Sequence, residues 1–589
     1  MAVKASRSRR RNNSSGAKVG TVRSAQLKFI PLGGLGEIGK NMYVLQYGDD
    51  IIVIDSGLMF PDQELLGIDF IVPDISYLEA NREKVLGILL THGHEDHTGA
   101  LPYVLSRLNV PIYGTRLTLG LVGHKLEEDL PALKPVMKEV RSGDFLELGP
   151  FKIRFIAVSH SIPDGVALSI ETPLGRVLHT GDFKLDPTPI DGRVTDYGAL
   201  AAEGDKGILL LASDSTNAER KGYTPSERII SGTLDHLYRN YRTRRLIVSS
   251  FASNVHRIQQ VADGAQHFNR KIAFLGRSMV RNVELARSLG YLDIDEKMIV
   301  QAEDIGKIPD NQLVVMTTGS QGEPFSGLVM MSRGDHRQIT LGERDAIFIL
   351  ASAIPGNEKL INNTINRLFA LGCEVVYEQD RQTHVSGHAS AEELKIMLNL
   401  TRPQYFVPIH GEYRHLVRHS QLAQEVGIPQ RNIFVMTNGS VLTFSTRGKP
   451  RLKDKVQAGA VLIDGNAVGE LKSFVMRERW DLAEEGIVII AGALDEDGSL
   501  IAPLEIETRG VFLSDDHEKV KQEVRTAVAR VLKEHKGAFK LEAVSKAVRN
   551  RVRDILRRRN SSYALIVPVF SVVGKGSHSS DNWIEKDFF

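Results

Sequence analysis

The sequence predicts an α/β protein made of a layered α/β core, a doubly wound parallel sheet inserted into that core, and a small α/β domain near the C-terminal end. Three observations carry this. At 589 residues the chain exceeds what one hydrophobic core supports, so several domains are required. Short Val- and Ile-rich runs bounded by Gly and Asp fill residues 26–225, give way to alternating helix and strand patterns over 226–369, and return over 370–465. Several of the runs end in His or Asp, residue types that ligate metals.

Residues 1–25, "MAVKASRSRRRNNSSGAKVGTVRSA", hold seven Lys or Arg and no acid, which leaves 67 basic against 72 acidic residues in the remainder. The formal charge of +2 therefore divides into a basic tail and a mildly acidic body. A segment this poor in large apolar residues stays disordered, and such arms either contact a polyanion or are simply solvated.

From Leu27 to Asp186 the runs "LKFIPL", "NMYVLQYG", "DIIVIDSG", "VLGILLTHG", "VPIYGT", "FKIRFIAVSH" and "GRVLHTGDF" read as buried strands, being short and β-branched. Helices such as "GALPYVLSRL" and "LTLGLVGHKLEE" lie between some of them, so the core is layered rather than a plain βαβ repeat. Over 226–369 the helices "SERIISGTLDHLYRNY", "NVHRIQQVADGAQHF" and "SMVRNVELARSLGY" alternate with the strands "RLIVSSF", "KIAFLG", "QLVVMTTGS" and "DAIFILASA", the mark of a doubly wound parallel sheet. With "EVVYE", "YFVPIHGEYRH" and "IFVMTNGSVLTF" the strand-rich pattern of the core resumes. A charged stretch over 466–487 reads as a helical linker. The domain at 488–574 combines the strands "IVIIAGAL", "LIAPLEIETRGVF" and "YALIVPVF" with two helices. Their stripes are Val520, Val524, Val528, Val531 and Leu532, and Val544, Val548, Val552, Ile555 and Leu556. The second helix is also arginine-rich, a pattern of a solvated face or of a polyanion contact. The tail at 575–589 carries no readable chemical signal.

No apolar run approaches the roughly 18 residues of a membrane span, which excludes membrane insertion. The lone cysteine, Cys373, cannot form an internal disulfide, and the N-terminal region lacks the apolar stretch of a secretory signal, so a cytoplasmic location is expected. In "ALGCEVVYE" the cysteine reads as a small core residue.

"GGLGEIG" places Gly34, Gly36 and Gly39 in G-x-G-x-x-G spacing, with Asp55 about twenty residues on. A dinucleotide site needs a helix at the third glycine, and "KNMYVLQYG" is strand-like, so that reading is rejected.

"THGHEDHTG" packs His92, His94, Asp96 and His97 into six residues directly after the strand "VLGILL", in a loop expected to lead into a helix near Thr98. So many imidazoles and carboxylates cannot all be satisfied by ordinary core hydrogen bonds, and a metal is the first candidate to hold them together. His160 after "FIAVS", Asp182 after "VLHTG" and His410 after "YFVPI" supply further ligand-type residues at strand ends. The mixed set suits zinc or manganese.

Through "HGHEDHTG", "SHSIPD", "HTGDFK", "SDSTNA", "SFASNVHR", "HVSGHAS" and "PIHGEYRH" the chain resembles the metallo-β-lactamase superfamily, and within it the β-CASP nucleases of the ribonuclease J family. The resemblance covers about 27 to 574 and implies a metallo-β-lactamase αββα sandwich, a β-CASP domain at the insertion and the family's C-terminal domain. It implies one metal on His92, His94 and His160 and another on Asp96, His97 and His410, with Asp182 bridging and Asp96 counted in the catalytic centre. The metals would be zinc first, with manganese or magnesium as alternatives. By the same resemblance His388 is the general acid, oriented by Asp214, and Ser253, Asn254 and Val255 together with His384, Val385, Ser386, Gly387 and His388 form the phosphate and nucleotide pocket. Ordinary turn chemistry is the competing reading of the small polar residues. Asp464 resembles a position that some members use for a structural calcium, although a turn aspartate is the simpler reading.

The function implied is a ribonuclease acting on single-stranded RNA, 5′ to 3′ from monophosphate ends and also internally, in mRNA decay and rRNA maturation. Homodimers or homotetramers and RNA-degradation or ribosome-associated proteins are the implied partners. A DNA nuclease of the same architecture competes, but in the family pattern DNA-directed members lack the histidine present here as His410. A lactam or thioester hydrolase would have no use for the inserted domain, and a non-catalytic RNA-binding scaffold would be expected to have lost ligands.

Overall fold

The computed structural model describes residues 25–573, apart from 62–64, 324, 353–356, 378–382, 447, 466, 470–472, 512–516, 538–539 and 561–563. The tails expected at 1–25 and 575–589 lie outside the described residues, Ala25 excepted. The chain divides into two compact units, one of residues 1–60 and 70–461 and the other of 61–69 and 462–589.

Two sheets form the core of the first unit. The eight-stranded one runs in the order 451–455, 440–444, 27–33, 42–47, 50–54, 85–89, 112–114, 137–139, and the six-stranded one in the order 405–409, 208–214, 175–179, 166–172, 151–157, 145–148. Phe29, Leu45, Ile52 and Ile54 of the first sheet meet Ile153, Phe155, Leu168, Leu210 and Val407 of the second in one apolar layer. The period-2 alternation of each strand sends the intervening residues outward. On the second sheet those residues, Ile156, Ala167, Leu178 and Leu211, pack beneath the helices Tyr197–Lys206, Ala391–Thr401 and Tyr413–Glu425. The helices expected at "GALPYVLSRL" and "LTLGLVGHKLEE" form over Leu101–Arg107 and Arg116–Asp129. This is the αββα arrangement.

The insertion is a six-stranded, wholly parallel sheet in the order 299–300, 271–275, 313–317, 245–249, 345–349, 374–376. Alternate residues of each strand feed different cores: Leu246, Val248, Val314 and Met316 enter one, and Ile247, Leu313, Val315 and Ile347 the other. Burial on both faces is why these segments read as unbroken apolar runs. One boundary differs from expectation. The short strand Glu374–Val376, expected within the returning core, pairs in parallel with Asp345–Ile349 and extends the inserted sheet past 369. Three residues are too few for their pattern to say which sheet they join. Cys373, beside that strand, is 4% exposed in an apolar core, where burial pushes its thiol up to about 11.

The glycine segment Gly34–Gly39 continues into the strand Met42–Tyr47, with no helix, so the dinucleotide spacing is coincidental. Gly34, Gly36 and Gly39 all take positive φ, and Gly36 donates its N–H to Gly411 O at 2.9 Å.

In the second unit the strands Glu505–Arg509, Ile487–Leu494 and Leu565–Val572 form a sheet in that order. "LIAPLEIETRGVF" thus contributes only its middle as ladder. The helices His517–Glu534 and Leu541–Asn560 turn both valine stripes into a core with Val488, Ile490, Ile506 and Ile566. The charged stretch expected as a linker holds the helix Ser473–Glu484. Arg479 of this helix pairs with Asp464, and no group of three ligand-type residues includes Asp464 among the described residues. Asp464, the residue named for a structural calcium, thus has its carboxylate paired with a guanidinium here.

Arg257 is the largest fully buried side chain of the described residues. From the helix Val255–His267 its Nε donates to Glu227 Oε1 at 3.0 Å, and its Nη1 donates to Leu350 O at 2.9 Å and Thr383 O at 3.0 Å. One guanidinium thereby ties the helix to a strand end and to the segment entering "HVSGHAS". Arg257→Met is expected to lower unfolding free energy by about 3–5 kcal/mol, since it strands the Glu227 carboxylate away from water. The double variant with Glu227→Gln should recover part of that loss in urea denaturation. A loss below about 1 kcal/mol would mean the pair contributes no more than a surface bridge.

Candidate metal centre

Parallel neighbours release their chains at the same edge of a sheet, and functional groups gather there. Gly175–His179, Ile208–Asp214 and Tyr405–Ile409 are parallel neighbours that deliver Asp182, Asp214 and His410. Asp50–Ile54 and Val85–Leu89, parallel in the other sheet, deliver Asp55 and His92. His160 follows Phe151–Ala157. Asp96 and His97 sit in a helical turn at Glu95–Thr98, which begins three residues ahead of the expected helix start.

Two ligand-type groups hold the expected ligands, and a third, of Asp182, Asp214, His388 and His410, overlaps them. In one, His92 Nε2 and His160 Nε2 each lie 3.1 Å from His94 Nδ1. In the other, Asp96, His97, Asp182 and His410 present atoms within 4.8 Å of one another. Asp182 Oδ2 joins the groups, at 3.2 Å from His97 Nε2, 3.3 Å from His410 Nε2, 3.7 Å from His92 Nε2 and 3.8 Å from His160 Nε2. It is buried and accepts no hydrogen bond. Buried carboxylate oxygens are seldom left so, and a position ringed by imidazole nitrogens fits a divalent cation.

The rings are held for that purpose. His97 Nδ1 donates to Asp55 Oδ2 at 2.8 Å, and His160 Nδ1 donates to Gly387 O at 2.8 Å. Thr91 Oγ1 donates to Asp55 Oδ2 at 2.9 Å and lies 3.0 Å from His92 Nδ1, whose proton it can accept. In each case Nδ1–H is occupied and Nε2 is left as the ligand atom. Asn41 Nδ2 bridges His97 Nε2 at 3.2 Å and His410 Nδ1 at 2.9 Å, and takes its own orientation from the Tyr43 hydroxyl, which donates to Asn41 Oδ1 at 2.8 Å. Asp55 and His410 adopt positive φ of 62° and 51°, a strained conformation kept where the surroundings over-determine it.

Electrostatics follow burial and neighbours. Burial, then the crowding of imidazoles, pushes His92 and His160 well below the ordinary histidine value and His94 down to about 4, so all three offer lone pairs. Burial opposes charge on His97 too, but Asp182, Asp96 and Asp55 outweigh it and hold that ring well above its ordinary value. The same contest at His388 is won by Asp214, whose Oδ2 accepts from Nδ1 at 2.8 Å, and by Asp182, and it holds His388 up to about 9. Asp214 Oδ1 accepts from the Thr216 N–H at 2.9 Å, which fixes the carboxylate.

The expected pocket residues divide. Ser253 is half-buried just ahead of the helix Val255–His267, and Asn254 caps that helix, its Oδ1 accepting from Arg257 N at 3.0 Å. The side chains of Val255 and Val385 belong to an apolar core, so any ligand contact there runs through backbone. Ser386 Oγ accepts from Asn217 Nδ2 at 2.8 Å. His384 Nδ1 is buried without a partner, and burial followed by Arg257 pushes the ring down to about 4. His384, Val385 and Ser386 line a cavity of about 440 Å³ with Arg220, Lys221 and Tyr223. Gly387, expected as a phosphate donor, uses its carbonyl on His160, and a Cβ there would lie 2.6 Å from His160 Cε1.

Sequence reasoning weighs Asp55 only within a nucleotide spacing and passes over Asn41 and Thr91. "IDSG" at a strand end is the available signal for Asp55. Nothing local marks Asn41, because its partners lie 56 and 369 residues away.

Known proteins match this architecture. Residues 35–221 match the model for the metallo-β-lactamase superfamily, 243–368 the ribonuclease J β-CASP domain, 374–436 the Zn-dependent metallo-hydrolase RNA specificity domain, and 474–573 the ribonuclease J C-terminal domain. Ribonuclease J of Synechocystis is 42% identical, with 87% of this chain and 80% of that protein covered. Ribonuclease J2 of Bacillus subtilis is 40% identical over 93% and 99%, and ribonuclease J of Thermus thermophilus 40% over 92% and 95%. Among solved structures, a protein of unknown function from Enterococcus faecalis aligns with TM-score 0.51 at 16% identity over 71% of this chain and all of its own, a likeness of fold. The donor set and these matches together mark a divalent-metal site.

Gly387→Ala is expected to weaken metal binding by roughly 10–100-fold, as loss of an orienting partner does. Titration calorimetry with zinc on demetallated protein measures it, and unchanged affinity would mean that metal binding does not depend on the close approach of Gly387 to the His160 ring.

Proposed function

Because the chain belongs to the ribonuclease J family and is a metal-dependent ribonuclease, we propose that it hydrolyses single-stranded RNA with two divalent ions, zinc first and manganese or magnesium as alternatives. It removes nucleotides 5′ to 3′ from monophosphate ends, cuts internally as well, and serves mRNA decay and rRNA maturation. The observation that carries this reading is the bare Asp182 Oδ2 amid the nitrogens of four histidines.

His92, His94 and His160 would hold one ion, Asp96, His97 and His410 the other, and Asp182 would stand between them. When bound, the ions lower the pKa of water and offset charge on the attacked phosphodiester. The protein does the rest. Asp214 engages His388 Nδ1, so Nε2 carries the proton that a leaving sugar oxygen needs. Asp214 raises that ring above the ordinary histidine value against the effect of burial. Arg220 and Lys221 give the cavity beside His384, Val385 and Ser386 a positive lining for a 5′-phosphate, and Ser386 and the backbone supply donors. Ser253 and Asn254 stand at the start of a thirteen-residue helix, where backbone N–H groups favour anions. Self-association as a dimer or tetramer through the C-terminal domain completes the reading.

With 5′-monophosphate RNA and metal, release of mononucleotide is expected, and His388→Ala should lower kcat by roughly 10²–10⁴-fold with metal content unchanged. Asp214→Asn should act in the same direction. Single-stranded DNA degraded beside intact RNA would overturn the substrate, and full activity in His388→Ala would remove the acid.

A further inference from the structure

The C-terminal unit carries a charge pattern that the catalytic centre does not use. Residues 517–560 contain fourteen Lys or Arg against five acids. In the helix Leu541–Asn560 the apolar stripe is spent on the unit's own core, so what faces outward is charge. Lys546, Arg549, Arg553 and Arg557 are all exposed. Their spacing of i, i+3, i+7 and i+11 aligns them along one side of the helix, in a row roughly 16 Å long. Arg551 and Arg558 lie seven residues apart on another flank, and Asp554 is the one acid between Lys546 and Arg558. Arg549, Arg551, Arg553 and Arg558 form no ion pair among the described residues. Like charges four residues apart repel one another, and a polyanion laid along the row removes that repulsion.

We propose that this row is a sequence-independent docking surface for the phosphate backbone of single-stranded RNA, which holds long substrates and leaves the chemistry to the metal centre. The inference rests on RNA being the substrate. Guanidinium groups suit phosphate oxygens, and charge neutralisation of this kind reads no bases. A membrane-surface helix would expose large apolar residues opposite its charges, whereas here they are buried, apart from Leu541 at the start. The helix also has no aromatic residue to anchor a protein partner.

The test is equilibrium binding of a long unstructured oligo(U) strand to the full chain in chelator, across a series of salt concentrations. Each phosphate contact steepens the plot of log affinity against log salt by about 0.7 for a single strand. Lys546→Gln/Arg549→Gln/Arg553→Gln is therefore expected to flatten the slope by roughly 2. Lys546→Gln/Arg553→Gln, which spares the Arg549 Nε bond to Ile566 O, should flatten it by roughly 1.4. Arg549→Lys/Arg553→Lys should preserve the slope. Identical slopes in the wild type and the glutamine variants would overturn the proposal. So would an unchanged slope accompanied by a shift in sedimentation, which would make the row a subunit contact. Cleavage of a short 5′-monophosphate oligonucleotide by the wild type, run separately with metal, reports on the ribonuclease reading alone. Its failure there leaves the binding result to stand or fall independently.

Discussion

A buried carboxylate oxygen without a hydrogen bond is among the costliest features a fold can carry, and Asp182 Oδ2 is one. Positive charge must answer it. Four histidines from three separate segments are aimed at it, and they lie too close together to be all protonated, since burial and mutual repulsion hold His92, His94 and His160 neutral. A divalent cation resolves both difficulties, because it takes lone pairs from the neutral rings and neutralises the carboxylate.

The rest of the core serves that arrangement. Two sheets pressed face to face fill the layer between them with apolar side chains, so polar groups from both meet at its edge, at the ends of the parallel strands. Asp55 carries the connection from ligand to scaffold: its carboxylate accepts hydrogen bonds from His97 Nδ1 and from both the N–H and the hydroxyl of Thr91, so one buried residue orients two rings of the cluster. Asn41 does the corresponding work between His97 and His410.

The segment returning from the inserted sheet touches the histidine cluster as well as the cavity lined by His384, Val385 and Ser386. Arg257 holds Thr383 O, four residues later Gly387 O fixes His160, and the next residue, His388, is charged by Asp214. A substitution in the inserted domain can thus reach the ligands through five residues of backbone. Fold kinship alone could not have supplied that link.

Elements with a strong local signature were legible. The strands 245–249, 271–275, 313–317 and 345–349, the two valine-striped helices and the ligand cluster after "VLGILL" all follow from period, composition and residue type. The short strand Glu374–Val376 and the ion pair of Asp464 were not, because each depends on a neighbour distant in sequence. The sequence by itself determined which residues could ligate a metal and that they end strands, since hydrophobic runs and chemical types are local properties. Only the tertiary structure decided which nitrogen of each ring faces Asp182, and that Gly387 lends its carbonyl to His160. Ring orientation is set by hydrogen bonds across as many as 369 residues, and no periodicity encodes a bond of that reach.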